Sequence, residues 1–94
     1  MKKYFIDYSI KAKTDIEKIK KSGNKNAFDK VVTLIEELEN HPRTGTGHPE
    51  QLKGYPDIER WSRRISKEHR LVYDIEDDIV VVILVSAYGH YDDR

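Results

Sequence analysis

The apolar residues of this chain change their spacing twice, and that order of spacings restricts the fold more than any other feature. Over residues 3–8, Tyr4, Ile6 and Tyr8 alternate with Phe5 and Asp7, a period of two that predicts a first strand. From residue 10 to 21 the spacing lengthens. Ala12, Ile16 and Ile19 fall four and three apart, a narrow stripe on one side of a helix that Ser9 can cap. Ser22, Gly23 and Asn24 interrupt it, and Asn24 can cap a second helix over residues 25–39. Phe28, Val31, Val32, Ile35 and Leu38 share one side of that helix, and Leu34 widens it. Pro42 bounds it, because the residue before a proline is pushed out of the helical region.

The period of two then returns. Trp61, Arg63 and Ile65 alternate with Ser62 and Arg64, and Leu71, Tyr73 and Ile75 alternate with Arg70, Val72 and Asp74. Residues 79–86 are apolar almost throughout, as in a strand central to a sheet. Residues 66–68 and 76–78 are turns between these strands. Residues 43–57 carry Gly45, Gly47, Gly54, Pro49 and Pro56 and few apolar side chains, which predicts a loop with a short turn near residues 50–52. Such a loop is either a connector from helices to sheet or a functional segment. One strand, two helices and at least three mostly antiparallel strands define a two-layer α+β domain over residues 1–94. Its sheet is small, twisted and mainly antiparallel, with both helices packed on one face.

Composition narrows the chemistry. A chain of 94 residues suits one core, and the absence of cysteine excludes disulfides, thiolate nucleophiles and thiolate zinc sites. The apolar stretch at the start is too short for a signal peptide, and no run approaches the roughly 18 residues of a membrane span. The expected setting is the cytoplasm, away from membranes. No phosphate loop, dinucleotide fingerprint, close metal-ligand pattern or Gly-x-Ser-x-Gly elbow occurs, so neither a metal nor another cofactor is expected.

Seventeen basic residues balance seventeen acidic ones, but unevenly. Residues 1–40 carry nine Lys against seven acids, residues 41–70 seven basic against four acidic groups, and residues 71–94 one Arg against six acids. Residues 60–70 alone hold five basic side chains, one Glu and His69. A neutral chain is not built to bind duplex DNA by bulk attraction, yet a compact positive patch can hold a few phosphates. A solvated sheet face laced with ion pairs would show the same composition.

Metal-free cleavage of RNA requires a base for the ribose 2′-OH, an acid for the leaving 5′ oxygen and cations around the phosphorane. Arg suits the last role because its planar fork matches phosphate, and aromatic rings stack on bases. The chain offers Glu50, His90, Arg63 or Arg70, and Trp61, Tyr88 or Tyr91 for these parts. Each also has a plain reading: Glu50 as a loop carboxylate, His90 as an exposed histidine and Trp61 as core.

Residues 40–53, Asn-His-Pro-Arg-Thr-Gly-Thr-Gly-His-Pro-Glu-Gln-Leu-Lys, resemble the central segment of the YoeB/Txe toxins of the RelE/ParE superfamily. The resemblance continues through Trp61-Ser62-Arg63-Arg64-Ile65 and Glu68-His69-Arg70-Leu71-Val72-Tyr73 to Gly89-His90-Tyr91. It implies a RelE/ParE-like fold and the toxin of a type II toxin–antitoxin system, a ribosome-dependent messenger RNA endonuclease that inhibits translation. By motif, Glu50 becomes the general base, Arg70 a transition-state clamp and His90 the general acid, with Tyr91 beside it and Arg63 as a further catalytic or phosphate-binding group. The resemblance also makes Lys53 a contact to RNA phosphate, and Trp61, Arg64, Lys67 and Tyr88 complete the expected RNA-binding set. The implied partners are a YefM/Axe-like antitoxin, the 70S ribosome with its messenger, and a second copy of the chain as a homodimer. Where some members end at the tyrosine and carry Tyr before His, this chain has Gly89 and continues through Asp92, Asp93 and Arg94. Two other readings remain open at this point: a ParE-like gyrase inhibitor, and a protein that blocks translation by occupancy without cutting.

Overall fold

The computed structural model describes residues 3–89. Its elements are β1 (Phe5–Tyr8), α1 (Ile10–Lys21), α2 (Lys25–Leu38), β2 (Glu50–Gln51), β3 (Arg60–Arg64), β4 (Arg70–Glu76) and β5 (Val81–Ser86). The strands form one sheet in the order β1-β5-β4-β3-β2. Only β1 runs parallel to its neighbour β5; the other pairings are antiparallel.

Both helices start where the sequence provides a side-chain acceptor. Ser9 Oγ takes the Ala12 N–H at 3.0 Å, and Asn24 Oδ1 takes the Ala27 N–H at 3.0 Å. Ser9 also joins the layers, since its hydroxyl donates to the Val85 carbonyl at 2.9 Å. At the end of α2, His41 N–H still bonds the Glu37 carbonyl at 2.7 Å, and Pro42, which has no N–H, cannot continue the series.

The apolar stripes turn out slightly rotated. In α2 the buried positions are Ala27, Val31, Leu34 and Leu38, while Val32 is exposed. In α1, Ala12 and Ile19 are buried together with an acid, Asp15. These side chains pack on Leu71, Tyr73, Ile75, Val82 and Leu84 of the sheet. Burying each leucine contributes about 1.5–3 kcal/mol, so this single layer of contacts dominates the cohesion of the two halves.

Two elements differ from the sequence reading. Residues 50–51 are a strand rather than a turn, because Glu50 and Gln51 pair with Ser62 and Trp61 of β3. The last strand begins at Val81, since Asp77–Ile79 form a 3-10 turn and Val80 adopts a left-handed backbone, φ 55°. No helix among the described residues is long and apolar enough to cross a membrane.

Candidate active site

Strand alternation sorts the predicted site residues onto two faces. The β3–β4 register pairs Ser62 with Val72 and Arg64 with Arg70, and the β2–β3 register pairs Glu50 with Ser62. Partners across a ladder point the same way, so Glu50, Ser62, Arg64 and Arg70 share the face turned away from the helices. Trp61, Arg63 and Ile65 point to the helix side.

On the open face Arg70 is held by a neighbour. Its Nε and Nη2 both donate to Ser62 Oγ, at 3.2 and 2.9 Å, and Nη2 stands 3.8 Å from Glu50 Oε1. Ser62 is buried, whereas the Glu50 side chain is 70% exposed. Arg64 lies directly opposite Arg70 and is exposed. Two like charges facing each other across a ladder are unfavourable unless an anion lies between them. Lys67 is exposed in the adjoining turn, and Lys53 is exposed in the loop beyond β2, beside a shallow groove lined by Gln51, Leu52 and Tyr55.

Arg63 does something else. It is wholly buried, and its guanidinium clamps the start of the glycine-rich loop. Nη1 donates to Glu37 Oε1 at 2.9 Å, Nη2 to the carbonyls of His41 and Thr44, and Nε to the Tyr73 hydroxyl at 3.0 Å. Tyr73 passes its own proton to the Pro42 carbonyl at 2.8 Å, and burial pushes its pKa up. Glu37 completes the clamp by accepting from the Thr46 N–H and hydroxyl. Burial alone would raise the Glu37 pKa, but the Thr46 bonds and the Arg63 charge outweigh it, and the carboxyl sits below its ordinary value. Gly47 is required where this loop meets β3: its φ is +87°, and a Cβ would stand 2.9 Å from the Arg64 carbonyl oxygen.

The structure sets Arg63 apart from the other predicted site residues. Alternation places it opposite to Ser62 and Arg64, with every guanidinium nitrogen engaged inside the protein, so it is not brought together with Glu50 and Arg70. Trp61 lies on the same side as Arg63. It packs half-buried against the core and donates from Nε1 to Glu59 at 2.9 Å, rather than offering a stacking face beside Arg70. Arg60 is likewise occupied, with two bonds to Asp74 at 2.6 and 2.9 Å. The five basic residues of the 60–70 segment thus reduce to three, Arg64, Lys67 and Arg70, available to an outside anion.

The remaining edge is the chain after β5. Tyr88 is exposed, with its ring centroid 4.4 Å from that of His69 and the Lys18 ammonium 5.2 Å from it. Asp15, buried in α1, accepts from the Ala87 and Tyr88 N–H groups at 3.0 and 3.4 Å. The carbonyl of Gly89 takes the Arg70 N–H at 3.0 Å. His90 and Tyr91 lie outside the described residues. Sequence reasoning missed Ser62, Glu37 and Asp15; only Asp15 left a signal, as an acid inside the apolar stripe of α1. Among the described residues no cluster of metal-ligating side chains occurs.

Two helices on one face of a five-stranded sheet, with a cationic face left open, make the two-layer fold of the small RelE/ParE-type toxins. A structure described as a YoeB/ParE toxin from Agrobacterium tumefaciens superposes with a TM-score of 0.79 at 30% identity, over 93% of this chain and 99% of that one. A YoeB–YefM complex from Staphylococcus aureus contains a chain with a TM-score of 0.71 at 33% identity, over 94% and 98%. In sequence, Toxin YoeB of Mycobacterium bovis is 44% identical over 74 residues, 74% of this chain and 79% of the relative. The profile of the family described as YoeB-like toxin of bacterial type II toxin-antitoxin system matches residues 7–91. The chain belongs to that family.

Proposed function

We propose that this toxin cuts messenger RNA in the ribosomal A site, without a metal, by attack of the ribose 2′-OH on the adjacent phosphorus. Glu50 takes the 2′-OH proton as the new 2′-O–P bond forms. The P–O5′ bond breaks, and His90, assigned from its motif, returns a proton to the leaving oxygen. The products are a 2′,3′-cyclic phosphate and a 5′-hydroxyl end. Arg70 carries the charge that gathers on the phosphorane oxygens, a role worth about 10²–10³ in rate for a well-placed donor. Arg64, Lys67, Lys53 and Tyr88 border the path of the RNA, and Tyr91 assists at the reacting end.

The observation that carries this reading is the shared open face of Glu50 and Arg70, 3.8 Å apart with Ser62 orienting the arginine. A base and a phosphate donor at that separation can address the 2′-OH and the phosphorane oxygen of one nucleotide. The facing cations Arg64 and Arg70 are relieved by the phosphate that such a substrate supplies. A YefM-like antitoxin, as in the Staphylococcus aureus complex, would silence the protein in the cytoplasm by covering this face.

Cleavage-site mapping by primer extension tests it, with one messenger supplied naked or on programmed 70S ribosomes, and wild type beside H90A. New ends that need both ribosomes and His90 are expected. Equal cutting of naked RNA would remove the A-site step, and a translational block without new ends would replace cleavage by occupancy.

A further inference from the structure

His69 is a histidine that neither the proposed chemistry nor the core uses, yet it is placed with unusual care. It closes the turn between β3 and β4, where its carbonyl takes the Ile65 and Ser66 N–H groups at 2.9 and 3.2 Å. Its side chain is only 13% exposed, while its neighbour Glu68 is 82% exposed. The ring turns inward, against Tyr88, and Nδ1 accepts the Gly89 N–H at 2.8 Å. That nitrogen therefore carries no proton, and the ring's N–H is on Nε2.

This bond belongs to a series. β5 ends at Ser86, and the next three backbone N–H groups, of Ala87, Tyr88 and Gly89, are all taken by side chains: Asp15 Oδ2 for the first two and His69 Nδ1 for the third. The Gly89 carbonyl then accepts from the Arg70 N–H. Gly89 is thus gripped at both polar atoms by consecutive residues of one strand end, His69 by side chain and Arg70 by backbone. Its φ of +83° is a bend that favours glycine, and nothing crowds the position of a Cβ, so the bend is a matter of backbone and not of space.

We infer that His69 is a positioning residue, whose Nδ1 clasps Gly89 and so sets where the chain departs toward His90, one hydrogen bond from the backbone of Arg70. The residue that holds the phosphate and the residue from which the acid's segment leaves are then fixed by one dipeptide, His69-Arg70. The inference rests on the nuclease reading for its catalytic purpose, and on the described geometry alone for the clasp.

The test pairs His69→Ala with His69→Asn, since an asparagine amide oxygen falls near the place of Nδ1 and can accept the same N–H. In solution, Gly89 amide exchange in the free toxin should be roughly tenfold faster in H69A, as expected for loss of one acceptor, and near wild type in H69N. The wild-type imidazole should show an unprotonated Nδ1 by nitrogen-15 shifts. On programmed ribosomes, H69A should lose kcat with KM little changed, and H69N should recover much of it. Unchanged Gly89 exchange in H69A, or H69N behaving like H69A in exchange, overturns the clasp. A lost clasp with undiminished kcat overturns the positioning role. A wild type that cuts nothing while Gly89 stays protected removes the nuclease reading, and with it the catalytic purpose, but leaves the clasp standing.

Discussion

Arg63 and Arg70 stand on adjoining strands, yet they live in opposite surroundings. Arg63 is sealed beneath the glycine-rich loop with donors committed to Glu37, two loop carbonyls and Tyr73. Arg70 lies on the open face, its side chain 17% exposed, held by one serine hydroxyl with the Glu50 carboxylate 3.8 Å away. One residue of offset in register separates an arginine that builds the fold from one left on the open face. The same planar fork of donors is spent on loop carbonyls on one side and is suited to phosphate on the other.

The sharpest way to break this contrast is to remove each arginine in turn. R63A leaves Glu37, the His41 and Thr44 carbonyls and the Tyr73 hydroxyl without their donor in a closed space. It should lower the unfolding free energy by about 3–5 kcal/mol, read from urea melts, the range for breaking a buried charged pair. R70A should instead lower the unfolding free energy by only about 1–2 kcal/mol, as the buried Ser62 hydroxyl loses its partner, while lowering single-turnover cleavage on ribosomes by about 10²–10³. An R63A as stable as wild type, or an R70A destabilised as much as R63A, would erase the distinction. A subtler variant sharpens it. S62A removes the hydroxyl that orients Arg70, and should cost about tenfold in cleavage with a folded protein, since both bonds from the guanidinium to that hydroxyl are lost.

The smallest effect concerns acid. Glu37 is depressed by its Thr46 and Arg63 partners in spite of burial, and Glu59 is depressed by Arg43 first, with Trp61 assisting against desolvation. A depressed carboxyl contributes stability that is complete above its unfolded value, about 4.3, and is lost as pH falls through the lower folded value. Thermal midpoints should therefore drop below that value, and E37Q should flatten part of the drop while leaving the share due to Glu59. An E37Q profile as steep as wild type would show that the clamp does not depend on that charge.

Much of the architecture was legible because the signals are local. Ser9 and Asn24 cap the helices they precede, periods of 3.6 and two marked both helices and β1, β3 and β4, and a continuous apolar run marked β5. The short β2 was not legible: Glu50 and Gln51 are polar and pair only because β3 lies alongside, a contact made across the loop. The parallel pairing of β1 with β5 joins the two ends of the chain and leaves no local trace. For the site, the motif resemblance pointed to Glu50 and Arg70, which the fold brings to one face. It also named Arg63 and Trp61, although their alternation with Ser62 and Arg64 already set them on the side of Ile65, toward the core. Ser62, Asp15 and Glu37 could not be foreseen in their roles, because each acts on a segment that only tertiary structure brings near.

Glu50 offers the most direct test of the claim that the open face carries the chemistry. It is exposed, pairs only loosely with Arg70, and has no evident part in folding. Single-turnover cleavage of messenger on programmed ribosomes by E50Q, beside its urea melt, separates the possibilities. An unchanged melt is expected, with a rate lower by about 10²–10⁴, the usual contribution of a positioned general base. Cutting by E50Q at the wild-type rate, at the same site, would contradict it.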